Sequence, residues 1–335
     1  MLTPHTALHR IWAASFQLCT VLLPVLLFNA AAVYAQDYPS KPIRFLLPFA
    51  PGGAGDVLAR LTGQRLQETW NAQSFVEPRP GAGGIVATEV AAKSPPDGYT
   101  FIIVTVGHAV NPSLYSKLPY DTLRDLVPVA LVANIPSVVV VHPSVPAKTT
   151  KELIAVAKAS PMRLNYGSGG NATTAHVATA LFASMTGVEM THIPYKGAPV
   201  ALLDLIGGRL DLMIDQIPSS MGYIETGRLR ALAVTPAKRT VFLPSVPTLA
   251  ESGVPGYEFT AWWMFAAPAK TPTSIVERFN AELQKASADG SFRERLAKLG
   301  ADPAAPLSTA QTGEFLRREI DRWAKVVKAA NIRAE

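Results

Sequence analysis

Three glycine-rich loops constrain the fold of this chain more than any other feature, because each stands between a short apolar run and a helical pattern. The loops cover residues 51–56, 80–84 and 167–173. The first follows Ile43–Leu47, a run short enough for a buried strand, and precedes residues with helical spacing. Repetition of strand, loop and helix is typical of sheets covered by helices. The sequence therefore predicts an α/β fold.

The same order of elements occurs in two blocks, followed by further helices at the C-terminus. In the first block we expect strands at 43–47, 74–77 and 99–105 and helices at 56–70 and 85–92. In the second block we expect strands at 138–141, 163–166, 190–193, 210–214 and 229–234 and helices at 150–159, 173–186 and 199–206. The remainder is predicted to form a strand at 259–267 and helices at 273–286, 291–299 and 308–329. Two such blocks predict two lobes with a cleft between them.

The glycine loops also indicate the chemistry of a ligand. A helix begins with unpaired N–H groups and with the positive end of its dipole, so a carboxylate or phosphate binds there without Lys or Arg. Apart from Arg79, the loops are poor in cations. Three such loops predict an anionic ligand with more than one acceptor group, whereas any single loop can also be no more than a tight turn.

Residues 1–35 have the three parts of a secretory signal peptide. Arg10 supplies the charge, an apolar stretch runs from 11 to about 33, and small residues precede a cleavage point after Ala35. The alternative is an uncleaved anchor, because the stretch is long enough to span a membrane, but polar residues and a proline interrupt it. We therefore expect export and cleavage near Ala35.

Composition narrows the possible classes further. Hydrophobic residues make up 48% and charged residues 17% of the chain, which excludes a disordered protein. The single cysteine, Cys19, lies in the predicted signal peptide, so a disulfide scaffold is excluded. The formal charge of +6 comes from scattered Lys and Arg residues, without the basic run that marks nucleic-acid binding. We expect no nucleic-acid partner.

Catalytic motifs are incomplete in this sequence. There is no Walker loop, and the one dinucleotide-like pattern, at 167–172, lies in the middle of a chain that is predicted to be exported. Ser168 lacks the first glycine of a nucleophile elbow, because Tyr166 stands in its place. The histidines have no spacing suited to zinc. We therefore expect no enzyme, no metal and no cofactor.

Two aspartates and a pair of tryptophans each have two interpretations. Asp56 begins a helix, where it either stabilises the helix dipole or contacts a donor group of a ligand. Asp215 ends the apolar run 212–215 and either caps the next helix or faces the cleft. Trp262 and Trp263 are adjacent on a predicted strand, so they point to opposite faces and one of them can line a cleft.

A series of motifs in chain order resembles a known family. The motifs are YPSKPIR at 38–44, PFAPGG at 48–53, RPGAGG at 79–84, PDGYT at 96–100, NYGS at 165–168, PYKG at 194–197, LIGG at 205–208 and LRALAV at 229–234. With this series, the chain resembles the Bug family, the TctC-like extracytoplasmic solute receptors of tripartite tricarboxylate transporters. The resemblance covers nearly all of 37–335.

The resemblance implies a two-lobed periplasmic binding protein of type II. Each lobe would be a mainly parallel sheet flanked by helices, with the ligand in the cleft between the lobes. Lobe 1 would comprise 36–135 and 246–335, and lobe 2 would comprise 136–245. The resemblance also implies a monomer that binds a small carboxylate, either a di- or tricarboxylate or an aromatic carboxylate. Such a receptor would deliver its ligand to membrane permease subunits.

The resemblance further implies which residues bind the ligand. Lobe 1 would contribute Pro51, Gly52, Gly53, Asp56, Gly83 and Gly84, and lobe 2 would contribute Ser168, Asn171, Thr173 and Asp215. One position departs from the family, because Ala172 stands where glycine is common. The sequence therefore does not establish how the backbone N–H groups of that loop are arranged.

Two other functions remain open from the sequence. A secreted serine hydrolase would use Ser168 with His176 or His192. A periplasmic ligand sensor would dock on a signalling protein instead of a permease. The ligand also stays open, because loops poor in cations do not distinguish citrate-like acids, amino-acid dicarboxylates, aromatic carboxylates and neutral vitamins such as nicotinamide.

Overall fold

The computed structural model describes residues 38–329 and 332, so the predicted signal peptide, its cleavage point and Cys19 lie outside the described residues. The strands are β1 Ile43–Leu47, β2 Ser74–Pro78, β3 Thr100–Thr105, β4 Leu126–Ile135, β5 Ser137–Val141, β6 Asn165–Ser168, β7 Thr191–Pro194, β8 Leu212–Gln216, β9 Arg230–Val234, β10 Ala261–Pro268 and β11 Asp302–Pro303. All of them belong to one compact unit, Lys41–Glu335.

Helices pack against the strands of both sheets. They are α1 Ala54–Trp70, α2 Ile85–Ala92, α3 Val106–Leu114, α4 Thr122–Asp125, α5 Thr150–Ala159, α6 Thr174–Thr186, α7 Ala198–Ile206, α8 Ile217–Glu225, α9 Thr273–Ala288, α10 Gly290–Lys298 and α11 Thr309–Ala329. Within residues 38–329, none of these helices is both long enough and apolar enough to cross a membrane.

The strands form two sheets, and the α/β class is confirmed. The first sheet has the strand order β11-β4-β10-β3-β1-β2 and the second has the order β7-β6-β8-β5-β9. Both sheets are mixed, which corrects the prediction of mainly parallel sheets. Strand β1 is parallel to β2 and β3, and β6 is parallel to β7 and β8. In contrast, β10 is antiparallel to β3 and β4, and β5 is antiparallel to β8 and β9.

The antiparallel pairs have a common physical reason. Strands β4, β5 and β10 lie next to the points where the chain passes from one sheet to the other. Parallel neighbours need a crossover connection, usually a helix, that returns the chain to the same end of the sheet. Antiparallel pairing needs no such crossover, so strands that enter a sheet from the other lobe can pair in this direction.

An aromatic cluster holds the first sheet to the C-terminal helices. Phe45 of β1, Phe101 of β3 and Phe265 of β10 surround Phe279 of α9, and all four side chains are fully buried. The rings of Phe101 and Phe279 stack with centroids 4.1 Å apart. Burial of a Phe side chain contributes roughly 1.5–3 kcal/mol. Helix α9 is therefore packed into the core beside the first sheet.

The chain passes between the sheets at two places that lie side by side. Strand β4 ends at Ile135 and β5 begins at Ser137, so only Pro136 separates the two sheets there. On the return, the Thr235 N–H donates to the Ser137 carbonyl at 2.9 Å. The Ser137 N–H in turn donates to the Thr235 hydroxyl at 3.2 Å. These bonds join the two crossings into one narrow connection.

Three elements, α3, α4 and β4, fall in a stretch for which no helix or strand is predicted. Helix α3 contains Pro112, a residue that opposes a helix interior. Strand β4 contains Pro128 and pairs with β10, which lies far along the chain. In addition, β6 and β8 each begin two residues later than predicted, which carries Ser168 and Asp215 into buried strands.

Candidate functional site

A cleft between the two sheets holds two adjoining cavities. The inner cavity has a volume of about 60 Å³ and the outer cavity about 610 Å³, and both are partly open to solvent. Phe49 and Gly169 line both cavities, so the two form one continuous cleft. Residues of both lobes face each other across it.

Among the described residues, five helices begin at this cleft without a side-chain cap. Their N-cap residues are Gly53 for α1, Gly84 for α2, Thr173 for α6, Gly197 for α7 and Gln216 for α8. A helix leaves its first N–H groups without intrahelical partners, and a side chain often satisfies some of them. Here the N-cap side chains do not, although at the start of α2 the Ile85 N–H donates to the Ala82 carbonyl. The positive ends of the five helix dipoles therefore give the cleft a positive potential that comes from the backbone.

Asp56 holds the first glycine loop in place. The Gly52 N–H donates to Asp56 Oδ2 at 3.0 Å, and Arg60 Nε lies 2.9 Å from Oδ1. Asp56 is only 6% exposed, and with Gly53 it lines the inner cavity. The carboxylate therefore orders the loop and forms part of the cavity wall. Pro51 and Gly52 lie on the exposed turn and line neither cavity.

The second glycine loop touches the opposite lobe. Gly83 and Gly84 line the outer cavity and have φ angles of 60° and 92°, which favour glycine. A Cβ on Gly83 would lie 2.3 Å from the carbonyl oxygen of Asn171. A Cβ on Gly107 would likewise lie 2.9 Å from the carbonyl oxygen of Ala172. The absence of side chains at these glycines is what lets the two lobes approach here.

The third glycine loop contributes to both cavities. Asn171 lines the outer cavity and Thr173 lines the inner one. The Thr173 hydroxyl donates to the Gly170 carbonyl at 2.7 Å instead of capping α6. Ala172 has a φ of 62°, in the left-handed region that glycine adopts without strain. The alanine therefore has a glycine-like conformation, at a cost of roughly 1 kcal/mol.

Ser168, predicted as a ligand contact, lies beneath the third loop and lines neither cavity. It is fully buried, and its Oγ lies 2.6 Å from His192 Nε2. The Gly170 N–H donates to the same Oγ at 3.1 Å. His192 is stacked between Tyr166 and His176, with ring centroids 4.8 and 4.3 Å away. The serine and the stacked rings therefore support the loop from below.

The Ser168–His192 pair resembles a nucleophile with its base, but its surroundings oppose that role. Burial, with His176 nearby, lowers the pKa of His192 to about 3. Within the described residues, His192 Nδ1 has no hydrogen-bond partner, although the third member of a catalytic triad would bind there. An imidazole with so low a pKa is a poor base at neutral pH. The buried hydroxyl is also closed off from the cleft.

Asp215 is a buried acid in the wall of the inner cavity. It is 2% exposed, and Ser220 of α8 donates to its Oδ2 at 2.8 Å. Burial raises the pKa of this carboxyl to about 6, although the bonds from Ser220 and the Gln216 N–H act in the opposite direction. The side chain therefore binds the first turn of α8 and lines the cavity as well.

Two acids and no base line the inner cavity. Among the described residues its wall includes Asp56 and Asp215 but no Lys, Arg or His. In the outer cavity, the one cationic side chain among the described lining residues is the exposed Lys196. An anion in the inner cavity would therefore interact with backbone N–H groups rather than with side-chain cations.

Two parts of the cleft wall are missing from the sequence-based site. They are the start of α7 at Ala198 and the start of α8 at Gln216 and Ser219. The sequence does contain a signal for both, because proline occupies one of the first two positions of each helix. Of the two adjacent tryptophans, Trp263 lines the inner cavity. Trp262 faces the other way, where its Nε1 donates to Glu319 at 2.7 Å.

Comparison with known proteins agrees with this architecture. Residues 58–332 match the family model described as a tripartite tricarboxylate transporter family receptor. A UPF0065 protein from the tcbD–tcbE intergenic region of Pseudomonas sp. strain P51 is 39% identical, over 92% of this chain and 92% of that protein. Protein BugT of Bordetella pertussis is 38% identical, over 89% of this chain and 92% of BugT.

Solved structures share the fold over nearly the whole chain. Rpa4515 of R. palustris, solved with adipate, has a TM-score of 0.86 and 40% identity, and the match covers 89% of this chain and 99% of Rpa4515. MatC (Rpa3494) of Rhodopseudomonas palustris, with bound malate, has a TM-score of 0.82 and 31% identity, covering 87% of this chain and 100% of MatC. These likenesses confirm the predicted two-lobed periplasmic binding protein fold.

Proposed function

We propose, because this chain belongs to the tripartite tricarboxylate transporter receptor family, that it binds a small carboxylate outside the cytoplasm and delivers it to membrane permease subunits. The predicted signal peptide, cleaved near Ala35, would place the receptor in the periplasm. We further propose that it acts as a monomer and that binding involves no catalytic step.

One observation carries the choice of a carboxylate: five uncapped helix starts converge on one cleft. Unpaired N–H groups at helix starts bind anions, and the inner cavity offers no competing cation among its described lining residues. The two oxygens of a carboxylate match neighbouring N–H donors. Rpa4515 and MatC were solved with adipate and malate, and both of those ligands are carboxylates.

The ligand-contacting residues follow from this placement. Those proposed to contact the ligand or its bound water are Gly53, Asp56, Gly83, Gly84, Asn171, Thr173 and Asp215. We assign a supporting role to Pro51, Gly52 and Ser168, because they line neither cavity. Gly52 and Ser168 form hydrogen bonds that hold the loops of the contacting residues.

Closure of the two lobes would hold the ligand in the cleft. We propose lobe 1 as 36–135 with 246–335 and lobe 2 as 136–245, with rotation about the narrow connection described above. The lobes already touch at more than one point, since a Cβ on Gly197 would lie 3.1 Å from Ala50 Cβ. Closure around an anion excludes water and strengthens each hydrogen bond to it.

A thermal-shift and calorimetry series tests the carboxylate directly. Each acid is compared with its amide of the same shape, for example benzoate with benzamide and adipate with adipamide. We expect at least one carboxylate to stabilise the protein and its amide not to, because only the carboxylate is an anion. A ligand at one hundred times its Kd adds about 2.7 kcal/mol to the free energy of unfolding. Binding of amides alone, or of no carboxylate, would contradict the proposal.

A serine hydrolase is the second candidate, and the 2.6 Å contact between Ser168 and His192 is what favours it. We expect no turnover of p-nitrophenyl acetate by the purified protein, because the hydroxyl is buried and the imidazole is a poor base. Turnover that disappears in Ser168→Ala would establish the hydrolase instead.

The partner needs a separate experiment. We expect the ligand-loaded receptor to retain membrane permease subunits in a pull-down from detergent-solubilised membranes, and the ligand-free receptor to retain less. Retention of a signalling protein in place of the permease would favour the sensor that the sequence leaves open.

A further inference from the structure

Trp263 forms an apolar wall of the inner cavity, beside the uncapped helix starts. It belongs to β10, its side chain is 4% exposed, and its ring lies against the first turn of α1. The ring of Phe49 meets it edge-on, with centroids 6.0 Å apart and an interplanar angle of 64°. A large flat ring therefore lies next to the N–H groups that would bind a carboxylate.

Gly55 determines where this ring lies. A Cβ added to Gly55 would lie 1.8 Å from Cζ3 and 2.2 Å from Cη2 of Trp263. The indole therefore occupies the space that any side chain at position 55 would fill, with Phe49 packed against it. Contacts from two elements fix its position before a ligand arrives, which reduces the entropy that binding must overcome.

The rest of the inner cavity favours the same kind of ligand. Leu47, Ala175, Ala198 and Pro199 add carbon surface to the wall. A hydroxyl group of a ligand that faces such a wall loses its hydrogen bonds to water, at roughly 1–3 kcal/mol each. A citrate-like acid is therefore disfavoured, and an apolar body is favoured.

Charge in the inner cavity also limits the number of carboxylates. The described lining has two acids, Asp56 and Asp215, and no cationic side chain. The first carboxylate of a ligand can use the helix starts. Each further carboxylate in this cavity would approach Asp215, which has no ionic partner among the described lining residues, whereas Asp56 is paired with Arg60. A ligand with one carboxylate avoids this repulsion.

We infer that Trp263 is the specificity-determining residue of this receptor and that it selects a ligand with one carboxylate on an aromatic ring. This inference rests on the proposed carboxylate-binding function. The ring of the ligand packs on the indole, and its carboxylate accepts from the helix starts. Packing between two aromatic rings adds about 0.5–1.5 kcal/mol beyond burial of the same area.

Wild-type protein alone supplies the first test, through calorimetry with benzoate, cyclohexanecarboxylate, adipate and citrate. Benzoate and cyclohexanecarboxylate have the same head group and the same number of carbons, and they differ in whether the ring is flat. We expect benzoate to bind about tenfold more tightly than cyclohexanecarboxylate, and citrate to bind most weakly.

Substitution of the two adjacent tryptophans supplies the second test. Trp263→Leu keeps an apolar wall but removes the flat ring, so we expect the preference for benzoate over cyclohexanecarboxylate to fall from about tenfold to about twofold. Trp263→Phe should keep most of the preference, and it removes no hydrogen bond, because Trp263 Nε1 has no partner within the described residues. Trp262→Phe is the matched control on the opposite face, where it loses the bond to Glu319. It should lower Tm and leave the preference unchanged.

The outcomes separate this inference from the proposed function. If no carboxylate binds, the proposed function fails. If aliphatic carboxylates bind and benzoate does not, or if Trp263→Leu leaves the preference unchanged, the receptor remains a carboxylate receptor and the role of Trp263 is refuted. A folded far-UV circular dichroism spectrum for each variant ensures that the comparison is between native proteins.

Discussion

Helices that begin at the cleft and helices that begin elsewhere differ in what satisfies their first N–H groups. Away from the cleft, Asp121 accepts from two N–H groups of α4 and Asp289 accepts from two of α10. Thr149 accepts from one N–H group of α5, and Ser308 and Gln311 form a reciprocal pair at the start of α11. At the cleft, the N-cap positions are three glycines, a threonine turned away and a glutamine, without side-chain caps.

The difference shows that the same backbone groups stabilise helices in one region and remain available for binding in the other. A missing cap costs from a few tenths to about 1 kcal/mol of helix stability, so the cleft gives up stability that a bound anion restores. Helix α9, which follows Pro272, is also uncapped but begins outside both cavities. A missing cap alone therefore does not mark a site, whereas convergence on one cleft does.

The largest effect is expected where the two lobes touch. Gly83→Ala would place its Cβ 2.3 Å from the Asn171 carbonyl oxygen, so the cleft should close poorly and affinity for the best carboxylate should fall about a hundredfold. The matched control is Gly227→Ala, because Gly227 has a similar φ of 69° and, apart from its chain neighbours, no described residue has an atom within 4 Å of the added Cβ. Both variants should lose stability in thermal unfolding, and only the first should lose affinity in calorimetry. Equal affinity in the two variants would show that this contact is not needed for binding.

The second prediction concerns the acid beside the uncapped start of α8. Burial raises the pKa of Asp215 to about 6 from its ordinary value of 3.8, so the folded protein holds this proton more tightly than the unfolded chain does. The resulting stability is complete below about pH 4 and is lost as the pH rises through about 6. Asp215→Asn should remove this dependence and so gain about 2 kcal/mol relative to wild type between pH 4 and pH 7.5.

Urea unfolding of both proteins at several pH values measures the effect of Asp215. Burial lowers the pKa of His108, His176 and His192, so these residues give the opposite trend, with stability lost as the pH falls. Their contribution is common to wild type and variant, so it cancels in the difference. A difference that stays constant with pH would show that Asp215 is ionised in the native state throughout.

The third prediction adds a cap where the cleft has none. Gly53 has φ −84° and ψ 173°, the backbone conformation of an ordinary N-cap, and a Cβ there would meet only Pro199 at 3.9 Å. In Gly53→Asn, the side-chain oxygen of the new residue can accept hydrogen bonds from the N–H groups in the first turn of α1. It therefore competes with the ligand for these donors. Affinity should fall about tenfold while Tm stays level or rises slightly.

The reverse change outside the cleft is the control for that variant. Thr149→Ala removes the cap of α5, so it should lower the free energy of unfolding by about 1 kcal/mol and leave affinity unchanged. If Gly53→Asn binds as tightly as wild type, the N–H groups of α1 are not ligand donors.

The smallest effect is expected at Ala172, which has a left-handed backbone in the cleft. Ala172→Gly should raise the free energy of unfolding by about 0.5 kcal/mol and change affinity less than about threefold, because the loop keeps its conformation. Met162→Gly is the counterpart outside the cleft, with a φ of 59° and an exposed side chain. It should give a similar gain by urea unfolding with no change in affinity. A tenfold change in affinity for Ala172→Gly alone would show that its strain contributes to binding.

Local signals account for the parts of this fold that the sequence predicts well. The apolar run Ile43–Leu47 becomes β1 without a change of boundary, and the three glycine loops do precede helices. Such signals act between residues that are close in the sequence, so they can be recognised without knowledge of the tertiary contacts. The antiparallel pairing of β4 with β10 joins distant segments, and no local pattern encodes it.

The candidate site shows the same limit at the level of single residues. Ser168 belongs to a motif that suggests ligand contact, yet its hydroxyl binds His192, which follows on another strand. Trp263 could be recognised as one of two possible cleft residues, but its placement depends on Gly55, which lies far earlier in the chain. Residue type and spacing can therefore locate the helix starts, whereas the side that each residue faces is decided by tertiary contacts.

The side-by-side crossings between the sheets have a consequence for how receptors of this kind diversify. Because Ser137 and Thr235 are hydrogen-bonded neighbours, the segment between them begins and ends at one place. A segment whose ends lie together can be exchanged as a cassette, since the remaining chain spans the same short distance afterwards. Recombination between related genes at these two points would pair one half of a binding cleft with a different opposite half. Ligand preference could then change when one half of the cleft is exchanged as a whole, without any point mutation within either half.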